Sequence, residues 1–319
     1  MTRYILSEYL GDFSMVLTTI VQMIKLTRAH IGIAVLPSFW LGSLFALVLG
    51  YDFNVAIFLW GFAIIFLIYA SASYINDYYD FDADQYNRQF GFSGGSGVLQ
   101  HHPHLKVITK WSAAGLILIS LVLTLILSWM TFIPLWSVGF IGLGAFFSWF
   151  YSAPPLRFSY RGMSEFPHFI AGLMNTGWGY LLVTGRLDIT ILIFAIPLSL
   201  HLLNVILIFE LPDREADIHG GKRNFIVSRG RQQSYLIITI LFWLATLYFG
   251  VLAYIGWYAQ HINFWIITAL SIIPSVVSTY TALKRPLEQQ QATTYAIRTA
   301  LSLFALSIIL LVYFMILQW

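Results

Sequence analysis

The chain has 319 residues, of which 59% are hydrophobic and only 10% charged, against about 25% charged in an ordinary soluble domain. So few charges cannot cover a water-facing surface, which excludes soluble globular and disordered proteins and places the chain in a bilayer. A formal net charge of +3 is too slight to point to nucleic acid, and the absence of cysteine removes disulfides, thiolate metal sites and cysteine nucleophiles.

Residues 1–28 hold Glu8, Asp12, Lys25 and Arg28 and no signal-peptide cleavage pattern. They read as a partly amphipathic cytoplasmic lead-in, compatible with an interfacial helix. Beyond them, charge-free stretches of about 20 residues mark membrane spans. Residues 29–51, 53–76, 166–185, 189–209 and 299–319 are each one span long, whereas 111–156 and 232–283 each hold two. Polar and helix-breaking residues collect at 131–134 and 256–261, the expected turns inside the double stretches. The expected fold is all-α integral membrane: nine transmembrane helices in one bundle, a single domain over 1–319. Placing the N-terminus and the connections after helices 2, 4, 6 and 8 on one side puts 16 of the 17 basic residues there, with Arg186 alone opposite. The positive-inside rule makes that side cytoplasmic and sends Trp319 to the far side.

Acidic residues are rare and clustered. Eight of the 14 fall in two segments, NDYYDFDAD from Asn76 and ELPDREAD from Glu210, each placed after an even-numbered helix on the cytoplasmic side. Asp80 and Asp84 recur as Asp213 and Asp217 at the same offset of 133 positions, which marks motifs at 76–84 and 210–217 as an internal pseudo-repeat. On a helix, residues i and i+4 share a face, so each aspartate pair aligns, with Asn76 and Asp77 extending the first face by a turn. Gathered carboxylates repel and are costly to desolvate, an objection that a divalent cation removes. Oxygen-only ligands suit magnesium, commonly held by one or two carboxylates plus substrate phosphate oxygens. Either acidic segment alone reads equally well as a solvated helix cap. The pair also has basic neighbours, Lys222, Arg223, Arg28, Arg157 and Arg161, and together they describe a diphosphate site. His101, His102 and His104 read as an incidental cluster on a loop.

NDYYDFDAD resembles the first aspartate-rich motif, NDxxDxxxD, of the UbiA superfamily of intramembrane prenyltransferases, and DREADIHGGKR resembles the second. FSGGSGVL at 92–99 and YSAPPLRFSYRGMSE at 151–165 are similar to the branch containing 1,4-dihydroxy-2-naphthoate polyprenyltransferases. The resemblance implies an active site at the cytoplasmic helix ends. There Asn76, Asp80, Asp84, Asp213 and Asp217 would hold magnesium, as two ions bridging a prenyl diphosphate. Asp77 matches a motif position behind the metal. Lys222 would contact the diphosphate, and Arg28 matches the basic residue that opens the family's first helix, although Ala29 stands where the family often has proline. A larger departure is Phe209 and Glu210, where relatives often carry asparagine before the second motif. It leaves open whether Glu210 ligates metal or reshapes the acceptor pocket.

The implied activity is magnesium-dependent transfer of a polyprenyl group to an aromatic quinone precursor, 1,4-dihydroxy-2-naphthoate first among them. The partners are then the prenyl diphosphate, the aromatic acceptor and the lipid bilayer. The departing allylic cation needs π-electron density, and aromatic residues are plentiful, including Trp149, Phe150 and Tyr151. Tyr151, Tyr160 and the released diphosphate are the candidates for taking the ring proton. Glycines of FSGGSGVL could offer backbone N–H groups to the diphosphate or hinge a lid. Other acceptors and a terpene cyclase on the same fold keep both motifs. A cation transporter would favour ionisable residues near the bilayer midplane, where this chain has almost none.

Overall fold

The computed structural model describes residues 16–29, 32, 36–86, 93 and 95–318. The lead-in expected over 1–28 and the far-side terminus Trp319 therefore lie wholly or partly outside the described residues. Within them, α1 is Val16–Leu26. It is followed by α2 (Pro37–Val48), α3 (Val55–Tyr79), the single turns α4 (Phe81–Asp84) and α5 (Val98–His101), α6 (Lys106–Met130) and α7 (Ser137–Phe150). Then come α8 (Glu165–Thr184), α9 (Ile189–His219), α10 (Phe225–Tyr254), α11 (Phe264–Lys284) and α12 (Gln289–Ile316).

The boundaries follow local chemistry. Asn54, Asp188, Asn224 and Asn263 each sit at an N-cap and accept a hydrogen bond from a backbone N–H of the first turn. The turns expected inside the two double stretches separate α6 from α7 and α10 from α11. Within the apolar segments, serine and threonine hydroxyls return to the carbonyl four residues earlier, as Thr124 does to Ser120 and Ser275 to Ser271. That pairing satisfies hydroxyls that lipid cannot.

Nine helices of twelve or more residues pack together among the described residues, and six are long and apolar enough to cross a membrane. The shortfall against nine spans has a physical origin. The α2 and α7 helices have only 12 and 14 residues, and α8 carries His168, Asn175 and three glycines.

One core cluster joins α2 and α8–α12 around Phe45, Phe194, Phe242 and Phe249; a second joins α2, α3 and α6–α8 around Phe39, Ile64 and Trp178. The α2 and α8 helices belong to both. Their approach depends on Gly179, where an added Cβ would overlap the Phe39 carbonyl oxygen, and on Ser43, whose hydroxyl donates to the Gly179 carbonyl at 2.9 Å. At one end of the bundle Arg186 donates to the Tyr51 hydroxyl at 2.6 Å and pairs with Asp188 at 3.2 Å. The acidic motifs gather at the opposite end. Gly179→Val forces these helices apart and should lower the melting temperature in detergent, at an overpacking cost of about 1–3 kcal/mol; an unchanged thermal scan would refute the packing argument.

Candidate active site

The first motif is not one continuous helix. The α3 helix stops at Tyr79, and Asp80 takes φ −92° and ψ 4° before α4 begins. The second motif lies within the last turns of α9, where Pro212 has no N–H to give to the preceding turn and its carbonyl accepts from Gln289 Nε2 at 2.9 Å. The two are brought against each other by the α4–α9 contact, and Gly220 permits it: a Cβ there would overlap Ala83.

Lys222 lies between the motifs. Its Nζ is 2.7 Å from Asp80 Oδ2 and 3.2 Å from Asp217 Oδ1. Burial alone would pull the ammonium pKa down, but Asp217, Asp80 and Asp84 outweigh it and hold Lys222 well above the usual lysine range. Each aspartate has further partners. Asp80 accepts from Asn76 Nδ2 at 2.6 Å and from the Tyr160 hydroxyl at 2.8 Å; Asp217 accepts from Asn224 Nδ2 at 2.7 Å. The same Asn224 side chain caps α10 through its Oδ1. Asp77 pairs with Arg28, which also donates to Asn76 Oδ1 at 3.1 Å. Asp84 is pushed well above the carboxylate range, chiefly by burial, with Asp80 and Asp77 adding to it and Lys222 opposing.

These groups surround the polar end of a cavity of about 280 Å³, although Asp77, Asp80 and Tyr160 do not themselves line it. Arg28, Asn76, Asp84, Asp213, Asp217 and Lys222 line that end; Ile65, Ile68, Ile141, Met174, Leu202 and Ile206 line the apolar remainder. Of the three consecutive aromatics at the end of α7, Tyr151 alone lines the cavity, because successive helical positions point about 100° apart. Trp149 packs with Leu26 and Tyr74 instead, and Phe150 packs against Phe146 with the rings tilted by 57°.

The remaining expected site residues are placed differently. Arg157 stacks over the Tyr160 ring at 3.7 Å, while Arg161 and Arg223 are exposed; none of the three lines the cavity. Asp82 is exposed, and Glu215 is held by Arg231, because these positions fall on the opposite helix face from the motif aspartates. In the glycine-rich segment, Phe92 and Gly94 lie outside the described residues. Its described serines turn to carboxylates: Ser93 donates to Asp213 at 2.7 Å, and Ser96 donates both N–H and hydroxyl to Asp77.

Sequence reasoning missed His168, Asn175, Ser93 and Asn224, all of which line the cavity. His168 and Asn175 are polar residues seven apart inside an otherwise apolar span, the one signal that could have found them.

Among the described residues no three carboxylates or imidazoles form a ready-made metal cage. The donor set nonetheless fits magnesium: oxygen ligands in two opposed groups, each supplying one or two carboxylates and leaving the other positions to water or phosphate oxygens.

Residues 34–300 match the UbiA prenyltransferase family. The chain belongs to that family. It is an integral membrane prenyltransferase. Solved structures share the fold. A UbiA homologue from Archaeoglobus fulgidus bound to GPP and Mg2+ is 16% identical, with a TM-score of 0.64 over 91% of this chain and 99% of its own. A digeranylgeranylglyceryl phosphate synthase is 18% identical, with a TM-score of 0.61 over 94% of this chain and 99% of its own. An apo UbiA homologue from Aeropyrum pernix K1 is 16% identical, with a TM-score of 0.60 over 87% and 96%. No curated protein matches the chain in sequence.

Lys222→Met leaves Asp80, Asp84 and Asp217 with no ammonium between them. In EDTA the variant should melt at least about 3 °C below the wild type, and magnesium should raise its melting temperature more than it raises the wild type's; equal magnesium shifts would refute the charge-balancing role.

Proposed function

We propose that the enzyme transfers a polyprenyl group from its diphosphate to an aromatic quinone precursor, 1,4-dihydroxy-2-naphthoate in the first instance. One observation carries the reading: two opposed carboxylate groups and two half-buried cations line the polar end of a cavity whose remainder is apolar. A prenyl diphosphate has the same division. Each methylene of its tail gains about 0.8 kcal/mol in an apolar environment, while its head needs charge balance.

Asn76, Asp80 and Asp84 would hold magnesium on one side of the diphosphate, and Asp213 and Asp217 on the other. When bound, magnesium neutralises the diphosphate and makes it a better leaving group. Lys222 and Arg28 contact the anion directly. Arg157 acts behind Tyr160, and Arg161 and Arg223 add positive potential at the mouth. Asp77 holds Arg28 in place, and the Ser96 contact ties the glycine-rich loop to the same carboxylate.

The allylic C–O bond breaks, diphosphate leaves with the bonding electron pair, and a ring carbon of the acceptor attacks the allylic carbon. The ring then loses a proton, or its carboxyl group as carbon dioxide where the naphthoate is attacked at that position. Phe147, Tyr151 and Phe209 face the cavity and supply π density, each such contact worth roughly 0.5–2 kcal/mol. Burial raises the phenol pKa of Tyr160 above its usual value, so that side chain is not an effective base. That favours the released diphosphate as proton acceptor. The excess of basic residues on the same side as the motifs supports a cytoplasmic position for this site.

The test supplies magnesium, a labelled prenyl diphosphate and dihydroxynaphthoate to protein in nanodiscs, with mass spectrometric detection. A prenylated naphthoquinol that disappears with EDTA is the expected product; diphosphate release with only an alcohol or hydrocarbon would overturn the acceptor assignment. Asp80→Asn or Asp213→Asn should each reduce kcat at least about 100-fold with the fold intact, and near-normal turnover in either would refute the two-motif site.

A further inference from the structure

Glu210 is a third member of the repeated acidic register. It stands three residues before Asp213 as Asp77 stands three before Asp80, again 133 positions apart. The two side chains meet opposite surroundings. Asp77 has the Arg28 guanidinium and both donors of Ser96. Glu210 is 6% exposed, forms no ion pair among the described residues, and its Oε2 accepts no hydrogen bond. A buried carboxyl oxygen without a donor is costly, and native structures supply one from protein, water or ligand.

Position indicates which. Glu210 lines the cavity one helical turn before Asp213, between the diphosphate end and the apolar wall formed by Leu202 and Ile206. Tyr151 and His168 border the same cavity with their rings 5.1 Å apart and perpendicular. His168 Nδ1 is engaged with the Ser164 carbonyl at 2.9 Å, which fixes its ring. The neighbours of Glu210 that carry charge are Asp217 and Glu165, both acidic; Ser164 hydrogen-bonds to its carboxyl group, and Lys222 acts more weakly. An aromatic ring lying by Tyr151 with a hydroxyl directed at Oε2 supplies the missing donor without bringing further negative charge to an acidic corner.

We propose that Glu210 recognises a hydroxyl group of the aromatic acceptor by a hydrogen bond at its free Oε2. The assignment rests on the prenyl-transfer reading and adds to it the group that selects the acceptor. A hydroxyarene satisfies Glu210. Its O-methyl ether sets a methyl group against the buried carboxyl oxygen where the hydroxyl would lie, so it is rejected.

Steady-state kinetics with dihydroxynaphthoate and its mono-O-methyl ethers test this in the full chain with Glu210→Gln and Glu210→Leu. The Michaelis constant for the acceptor should rise in Glu210→Gln and by about tenfold in Glu210→Leu, while that for prenyl diphosphate stays within about twofold of wild type. The wild-type preference for the hydroxyarene over its ethers should shrink in both variants. An unchanged acceptor constant and preference overturn the assignment, as does an equal rise in both substrates' constants, which would place Glu210 in the diphosphate site. Glu210→Gln keeps the size of the side chain and decides the matter should Glu210→Leu not fold. Wild-type turnover, measured first in the same preparation, separates the two levels: its absence with every hydroxyarene overturns the prenyl-transfer reading and this assignment together, whereas turnover with unaltered variants overturns this assignment alone.

Discussion

The ammonium of Lys222, 2.7 Å from Asp80 and 3.2 Å from Asp217, joins two acidic motifs that the chain supplies 133 positions apart. Without a cation between them these buried carboxylates would repel across a low-dielectric gap, where charge interactions are several times stronger than in water. The arrangement around them follows. Gly220 lets the end of α9 approach Ala83, Asn224 spends one side-chain atom on Asp217 and another on capping α10, and Arg28 offsets Asp77. The pieces come from α3, α4, α9 and the segments beside them, so the site exists only when the bundle has closed.

That electrostatic balance also explains the shape of the cavity. Charged and hydrogen-bonded groups are confined to one end, and apolar side chains of α3, α7, α8 and α9 line the rest. An ionised side chain placed farther in would face lipid-like surroundings with no partner. The protein is thus divided along the cavity in the way an amphiphilic substrate is divided along its length, and the aromatic side chains fall at the junction.

Much of the architecture was legible in the sequence because bilayer physics leaves few alternatives. Charge-free runs located the helices, and the polar residues at 131–134 and 256–261 located the breaks between them. The helix expected straight through the first motif was interrupted at Asp80, since i, i+4 spacing is equally consistent with a continuous helix and with two pieces meeting at an angle. Arg157, Arg161 and Arg223 are basic residues near the motifs in sequence, yet their side chains stack on Tyr160 or point outward. Proximity along the chain carries no information about the direction of a side chain in a loop.

The sequence by itself determined that this protein lives in a membrane, that its acidic residues form two motifs in matched register, and that their chemistry suits a hard cation and a diphosphate. Composition and spacing carry those properties, and neither depends on how helices pack. Tertiary structure decided which groups meet. It set Lys222 between Asp80 and Asp217, turned the serines of the glycine-rich loop onto Asp77 and Asp213, brought His168 to the cavity, and left Glu210 Oε2 buried with no donor among the described residues. Those outcomes rest on close contacts between helices distant in sequence, where a single added Cβ at Gly179 or Gly220 would change the separation and with it every distance in the site.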